Sequence, residues 1–232
     1  MKNKIFWDLP GFNVFLKSRY TDLYALEADM GNHVGSSNFS AMDTLDWLLA
    51  DKATDEISFL MLTVPSTIKV SPNGSEIDTG ILENLALSSC LEHFIHDVAM
   101  QHDAIYSIGD DTLTVTSNAS SVSHTTQVAD GLCLLLDQAD QYQGFLLKDA
   151  KSHIPGQFRS SNSEVFDTRL LDMFRLCTHE AYDSMDDQSQ EQLRNIENLE
   201  SACHAAKSAD SRLEQIIAFT QQLKVTFYDM GT

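Results

Sequence analysis

The stretch AIYSIGDDTLTVT, residues 104–116, decides the fold that we predict for this chain. Two runs rich in β-branched and aromatic residues, 104–108 and 112–116, flank a short turn that contains Gly109, Asp110 and Asp111. This pattern is typical of a β-hairpin, because glycine and aspartate adopt the backbone angles that a tight turn requires. A hairpin of this kind predicts an antiparallel sheet.

Two further strands are predicted upstream of the hairpin. Residues 57–64, ISFLMLTV, form a short and almost continuously apolar run that ends at Pro65. Residues 67–70 follow as a second short run, and the sequence Pro72-Asn73-Gly74 closes it with a turn. Runs of this length with turn residues at their ends are typical of buried strands. Together with the hairpin they predict a sheet of about four strands.

Apolar residues at helical spacing surround these strands. They predict helices over residues 10–31, from Ser40 to Leu49, over about 79–102 and over 128–138. We therefore predict an α+β domain over residues 1–150, in which an antiparallel sheet of about four strands packs with helices.

The remaining residues, 151–232, carry only helical patterns. Three successive apolar stripes predict a helical hairpin or a three-helix bundle. Small residues on the second stripe, such as Ala202, Ala205 and Ala206, make these helices a candidate homodimer interface. The sequence leaves open whether the two regions pack as one unit.

The charge of the chain is strongly negative and unevenly distributed. Asp and Glu number 34 against 15 Lys and Arg, which gives a net charge of −19, and no lysine or arginine lies between Lys69 and Lys148. Such a field repels nucleic acid and anionic membranes and favours a basic protein partner, although it also serves solubility. We predict partner-binding carboxylates in this stretch at Asp103, Asp110, Asp111, Asp130, Asp137 and Asp140.

One cluster of side chains suits a metal. Glu92 and His96 are four residues apart on the predicted helix 79–102, as are His93 and Asp97, so each pair shares a helix face. Imidazole and carboxylate groups together are ligands for zinc or non-haem iron. The alternative is a solvated helix edge, and the chain contains none of the recognised motifs for metal, nucleotide or nucleophilic catalysis. We predict no cofactor, with a divalent metal as the alternative.

These observations favour an acidic interaction or regulatory module of the adaptor, inhibitor, chaperone or nucleic-acid-mimic type. The order of elements from Ser40 to Tyr142, together with the acidity, resembles the type III secretion chaperones, which are small acidic dimers of helices around antiparallel strands. A metal-dependent enzyme that uses His93 and His96 is the first alternative. A structural or accessory component of a larger assembly, such as a virus, is the second.

The chain shows no sign of membrane insertion or export. No run of 18 apolar residues is present, and Asp8 and Pro10 interrupt the N-terminus before an apolar stretch forms. We therefore predict a cytoplasmic protein that binds neither a membrane nor nucleic acid directly. The cysteines, which form no C-x-x-C pair, are predicted to be small core residues: Cys90, Cys133, Cys177 and Cys203.

Overall fold

The computed structural model describes residues 4–17, 19–37, 39, 46–74, 77, 87, 91, 103–117, 121–156 and 163–230. These residues form eleven β-strands and five α-helices, and the strands are arranged in two sheets. The α+β class and the helical C-terminal region that the sequence predicts are therefore confirmed. The number of strands is larger than the four expected.

Sheet A contains five strands in the order β1-β2-β5-β4-β3. The strands are β1 Ile5–Asp8, β2 Asn13–Leu16, β3 His33–Gly35, β4 Trp47–Asp51 and β5 Ile57–Thr63. The register of β5 with β2 and β4 is antiparallel. The strand predicted over residues 57–64 is thus confirmed as the central strand of this sheet.

Sheet B contains six strands in the order β6-β7-β8-β11-β10-β9. The strands are β6 Ile68–Ser71, β7 Asp103–Ser107, β8 Thr112–Thr116, β9 His124–Ala129, β10 Leu132–Leu136 and β11 Tyr142–Leu147. The predicted hairpin of residues 104–116 is confirmed as the antiparallel pair of β7 and β8. Every residue of β8 and β10 is buried, as expected for interior strands that are covered on both faces.

Four of the five helices formed by the described residues lie in the last third of the chain. They are α1 Leu23–Asp29, α2 Ser163–Leu176, α3 His179–Asp186, α4 Gln190–Ala206 and α5 Leu213–Tyr228. The apolar stripes that predicted three C-terminal helices are buried, including Phe166, Phe174, Ile196 and Ile216. The described residues form four helices there, because the first stripe is divided between α2 and α3. Helix α4 packs along α5, and α2 contacts both.

The chain divides into two compact units. The first contains Met1–Trp7, Asn13–Pro65 and Ser71–His153, and the second contains Asp8–Phe12, Ser66–Val70 and Ile154–Thr232. Within the first unit the two sheets contact each other, since the rings of Trp7 and Tyr106 have centroids 6.3 Å apart. The predicted division into domains at residue 150 stays a prediction.

The helix predicted over residues 128–138 is wrong. Strands β9 and β10 occupy this segment and form an antiparallel hairpin. The continuous apolar run from Leu132 to Leu136 fits a strand that is buried on both faces as well as it fits a helix. Gly131 decides between the two, because its φ of 75° suits the Asp130-Gly131 turn of a hairpin.

The two helices predicted before residue 50 are also wrong in the residues that are described. Strand β2 and the short helix α1 replace the helix predicted over 10–31, and Phe12 has a φ of 48° that breaks a helix before β2. Leu48 and Leu49 lie in β4, where both are buried. The other residues of that predicted helix, Ser40 to Leu45, lie outside the described residues, as does most of the segment 79–102, of which Leu87 and Leu91 are helical.

The likeness to type III secretion chaperones rested on an order of helix, strand, strand, helix, strand, strand, helix between Ser40 and Tyr142. In the described residues, β4 stands at the end of the first predicted helix and β9 and β10 replace the last one. The element order therefore no longer supports the resemblance.

A buried ion pair stabilises the segment that immediately precedes α5 in the second unit. Asp210 and Arg212 are 1% and 3% exposed, and Arg212 Nη2 donates to Asp210 Oδ2 at 2.6 Å. The guanidinium lies 4.0 Å from the centroid of the Phe166 ring, which adds a cation–π contact. Gly156 passes close to the backbone of Arg212, where a Cβ would lie 2.6 Å from the Arg212 nitrogen. The pair therefore joins α2, the loop at Gly156 and the start of α5.

Replacement of Gly144 by alanine should destabilise sheet B strongly. Gly144 has a φ of 137°, and a Cβ at this position would lie 2.0 Å from the carbonyl oxygen of Val115 in β8. We expect Gly144→Ala to lower the free energy of unfolding by about 3 kcal/mol or more, measured by urea denaturation. Gly31→Ala is the matched control, because no atom lies within 4 Å of its added Cβ, and it should change stability by less than about 0.5 kcal/mol. Equal losses for both variants would contradict the register given for β8 and β11.

Replacement of Asp210 by asparagine should destabilise the second unit. The substitution keeps the size of the side chain but leaves the buried guanidinium of Arg212 without its carboxylate. We expect a loss of about 3–5 kcal/mol in the free energy of unfolding. Asp186→Asn removes the same charge from an exposed position on α3 and should cost less than about 0.5 kcal/mol. A small loss for Asp210→Asn would show that the pair is not needed for this fold.

Candidate functional site

The six carboxylates that were predicted to contact a partner lie at two opposite ends of sheet B. The register places the start of β7, the end of β8 and the start of β11 in one row with the end of β10. We call this side, which holds the β10–β11 turn, the Asp137 end, and the opposite side, where Lys148 follows β11, the Lys148 end. The Asp137 end carries Asp103, Asp137 and Asp140, and the Lys148 end carries Asp110, Asp111 and Asp130. The structure therefore brings the six residues together as two groups of three.

At the Lys148 end, Asp111 serves the structure of its own turn. Its φ of 51° is left-handed, and its Oδ1 accepts hydrogen bonds from the Tyr106 hydroxyl at 2.8 Å and from the Lys151 amide at 3.3 Å. Burial raises the pKa of Asp111, although the Tyr106 hydrogen bond and the Lys151 charge oppose the rise. Asp110 and Asp130 are exposed in the neighbouring turns. This end therefore mixes carboxylates with the ammonium groups that follow β11.

At the Asp137 end, the turn between β10 and β11 is fixed by the Asp137 side chain. Its Oδ1 accepts hydrogen bonds from the amides of Ala139 at 2.8 Å and Gln141 at 3.0 Å, and its Oδ2 accepts one from Gln143 Nε2 at 3.1 Å. Asp140, with a φ of 58°, takes the left-handed position of the turn. Aspartate suits both roles, because its short side chain bonds to nearby backbone amides and tolerates this conformation. The carboxylates of the turn are therefore held in a defined geometry.

Neutral hydrogen-bonding groups surround this turn. The hydroxyls of Ser117 and Ser121 donate to Gln143 Oε1 at 3.2 and 3.1 Å. Asp103 lies exposed at the start of β7 in the same row of the sheet. The Asp137 end thus combines carboxylates with serine and glutamine side chains.

A serine, a histidine and an aspartate lie in contact at this end. Ser123 Oγ is 2.9 Å from His124 Nδ1, and His124 Nε2 is 2.9 Å from Asp140 Oδ1. The same three groups serve nucleophilic catalysis in hydrolases, where each must be aligned with the next. Here the buried His124 Nε2 has no aligned hydrogen bond, although the Asp140 carboxylate is close to it. The contact holds the turn against the start of β9 and does not form an aligned catalytic relay.

A buried carboxylate lies behind the Asp137 end. Asp46 is 4% exposed, and it accepts hydrogen bonds from the Thr63 amide at 2.6 Å and from the Tyr142 hydroxyl at 2.7 Å. Burial and the nearby Asp46 carboxylate raise the pKa of Tyr142 well above its ordinary value near 10. Because Thr63 ends β5 and Tyr142 begins β11, this carboxylate joins sheet A to the strand that leaves the Asp137 turn.

A second polar cluster, which the sequence pattern did not predict, lies where α1 and the residues before it meet β3. Tyr20 Oη is 2.7 Å from both Asp29 Oδ2 and His33 Nε2, and Arg19 Nη2 is 3.2 Å from Asp29 Oδ2. His33 is buried, and this burial lowers its pKa. Arg19 and His33 are 14 positions apart in the chain, so no local sequence pattern indicates the whole cluster. Its positive and negative groups compensate one another, and it ties α1 to β3.

The predicted metal ligands cannot be placed. Glu92, His93, His96 and Asp97 lie outside the described residues, and the metal site there stays a prediction. In the part of the chain that is described, no three His, Cys, Asp or Glu side chains are grouped so that they could hold a metal ion. Among the same residues, no helix has the length and apolar character needed to cross a membrane.

The C-terminal helices, which we predicted as a homodimer interface, bury most of their apolar side chains within the second unit. Val165 and Val225 are 40% and 48% exposed. The homodimer stays a prediction. Cys133, Cys177 and Cys203 are buried free thiols, as predicted, and burial raises the pKa of Cys177 to about 12. Cys90 lies outside the described residues.

Removal of the Tyr142 hydroxyl should lower stability in a way that depends on pH. At pH 7, Tyr142→Phe removes the donor to a buried carboxylate, and we expect a loss of about 1–3 kcal/mol in the free energy of unfolding. The pKa of Tyr142 is higher in the folded chain than in the unfolded one. Its contribution is therefore complete below about pH 10 and falls by about 1.4 kcal/mol per pH unit above it. Urea denaturation at about pH 7 and pH 11 should show that the gap between the wild type and the variant narrows.

Tyr24→Phe is the control for this experiment, because Tyr24 is 80% exposed. It should leave stability unchanged at both pH values. A gap for Tyr142→Phe that stays constant from neutral to alkaline pH would contradict the role given to its hydroxyl.

We compared the chain with models of known protein families and with curated protein sequences, and neither comparison finds a match.

Proposed function

We propose that this protein is an interaction module that binds a basic protein through the Asp137 end of sheet B. One observation carries the proposal. Strands β7 to β11 and the turns that join them contain no lysine or arginine, so no lysine or arginine of the same strands opposes the carboxylates at their ends. A surface of this kind attracts lysine and arginine side chains and repels polyanions.

The Asp137 end supports the proposal better than the Lys148 end does. The side chain of Asp140 is 50% exposed, and Asp103 is exposed at the start of β7. At the Lys148 end, by contrast, Lys148 and Lys151 stand beside the carboxylates, and burial raises the pKa of Asp111. The strands and turns of the Asp137 end therefore carry carboxylates without lysine or arginine, whereas two lysines stand among the carboxylates of the Lys148 end.

The Asp137 turn is also rigid enough to serve as a contact surface. Three hydrogen bonds to Asp137 set the turn, and the Asp46–Tyr142 hydrogen bond holds the strand that follows it. Carboxylates that are already ordered lose little conformational entropy when a partner binds. Ser117, Ser121 and Gln143 provide neutral groups that can hydrogen-bond to the same partner.

The other two functions considered for the sequence have less support. A metal-dependent enzyme would use His93 and His96, which lie outside the described residues. No particular feature of the described residues favours a structural component of a larger assembly over a module that binds a basic protein.

Removal of three charges from the Asp137 end should weaken binding of a basic probe. We expect Asp103→Asn, Asp137→Asn and Asp140→Asn, combined in one variant, to reduce the affinity for a fluorescent lysine-rich peptide about tenfold at 50 mM salt, since each lost exposed pair is worth about 0.2–1 kcal/mol. Asparagine can still accept the two backbone hydrogen bonds of Asp137 through its one oxygen and tolerates the φ of 58° at position 140, but its Nδ2 cannot accept the hydrogen bond from Gln143 Nε2. Fluorescence anisotropy measures the affinity, and the difference should shrink at about 300 mM salt.

The matched control removes three charges from the opposite end. It combines Asp110→Asn, Asp130→Asn and Asp149→Asn, and Asp149 has a φ of 50° that matches that of Asp140. This variant has the same net charge as the first, and we expect its affinity for the peptide to fall less than about twofold. If both variants bind the peptide equally weakly, the field of the whole chain attracts it and the Asp137 end is not the binding surface.

A further inference from the structure

A pocket with a positive lining lies between α2 and α4 in the second unit. Its volume is about 350 Å³, and Leu176 and Leu199 contribute its apolar part. The polar groups that line it are Arg169, Asp172, Arg175, Gln192, Asn195 and Asn198. A chain with a net charge of −19 thus contains a pocket in which two guanidinium groups face one carboxylate.

The two arginines hold Asp172 between them and use one nitrogen each to do so. Arg169 Nη1 lies 2.7 Å from Asp172 Oδ2, and Arg175 Nη1 lies 2.6 Å from Asp172 Oδ1. Each guanidinium carries five N–H donors, so most of the donors are not used by Asp172. The carboxylate orients the two guanidinium groups and leaves a net positive charge in the pocket.

Arg169 has a donor that lacks an acceptor. Its Nε is buried, and no hydrogen-bond partner for it lies among the described residues. This Nε has no accessible surface, so a ligand in the pocket can reach the Arg169 guanidinium only at its terminal nitrogens. The guanidinium of Arg175, whose side chain is 78% exposed, lies at the open side of the same pocket.

Side-chain amides on α4 complete the lining. Asn195 Nδ2 donates to Gln192 Oε1 at 2.8 Å, and Asn198 lies one turn further along the helix. Amide groups both donate and accept, so they suit the hydroxyl or amide groups of a polar ligand. Leu176 and Leu199 add apolar surface to the lining, and the volume is at the lower end of the size range of ligand sites.

We propose that this pocket binds a small polar ligand through an oxyanion, either a carboxylate or a phosphate. The oxyanion accepts hydrogen bonds from the free donors of Arg169 and Arg175, because the planar guanidinium matches the spacing of two oxyanion oxygens. The amides of Asn195 and Asn198 contact the rest of the ligand. Asp172 competes with the ligand for the guanidinium groups and limits its affinity.

The test uses the full chain, with inorganic phosphate and malonate as separate probes and chloride at equal ionic strength as the reference. Both oxyanions, or one of them, should raise the thermal unfolding midpoint in a saturable way, and isothermal titration calorimetry should give a matching dissociation constant. Binding of only one oxyanion supports the proposal and identifies the ligand chemistry. Equal effects of chloride and of both oxyanions would overturn it.

Variants of Arg175, which would bind the oxyanion, and of Asp172, which would compete with it, locate the site. Arg175→Gln should weaken oxyanion binding about tenfold or more, since it removes a charge-assisted donor at an exposed position. Asp172→Asn should strengthen binding, because it removes the competing carboxylate. Arg194→Gln is the control: it removes the same charge from an exposed position on α4 outside the pocket lining and should leave binding unchanged.

A purely structural role for the arginine pair makes the opposite prediction. In that case Asp172→Asn lowers stability without any gain in oxyanion affinity, and Arg175→Gln binds oxyanions as well as Arg194→Gln does. Either result would overturn the proposal, and neither would affect the test of the Asp137 end.

Discussion

The carboxylate of Asp46 is the constraint on which the first unit depends. This buried carboxylate accepts hydrogen bonds from the amide of Thr63, at the end of β5, and from the hydroxyl of Tyr142, at the start of β11. Asp46 and Tyr142 are 96 positions apart in the chain. A buried charge is tolerated only when hydrogen bonds surround it, so the two sheets must meet at this point for either to keep its place. The Asp137 turn ends where Tyr142 begins β11. The position of the Asp137 end therefore depends on the buried hydrogen bond between Tyr142 and Asp46.

The parts of the fold that could be predicted are those in which local sequence and tertiary environment agree. The 104–116 hairpin and the C-terminal helices show a clear period and clear turn residues, and both were found. The run Leu132–Leu136 shows no period, because β10 is buried on both faces, so its apolar pattern alone predicts a helix as readily as a strand. The Asp130-Gly131 turn before it is the signal that distinguishes a hairpin from a helix.

The candidate site could be predicted only in its composition. The stretch without lysine or arginine, between Lys69 and Lys148, indicated which carboxylates to consider. The strand register divides these carboxylates between two ends of sheet B, and the register depends on strand pairings that the sequence alone does not show. The cluster of Arg19, Tyr20, Asp29 and His33 joins residues from separate elements, so no single element shows it in the sequence. The pocket differs, because Arg169, Asp172 and Arg175 follow one another at helical spacing on α2, and only its second wall on α4 depends on tertiary packing.

The complete burial of β10 has a consequence for the unfolded chain. The segment Leu-Cys-Leu-Leu-Leu is short, apolar and uncharged, which is the composition of segments that form intermolecular β-structure when they are exposed. Asp130 precedes it, and Asp137 and Asp140 follow it, so carboxylates stand on both sides of the most aggregation-prone strand of sheet B. Such charges act as gatekeepers during synthesis and folding. The acidity of these turns therefore protects the chain before the sheet exists, whatever the turns bind afterwards.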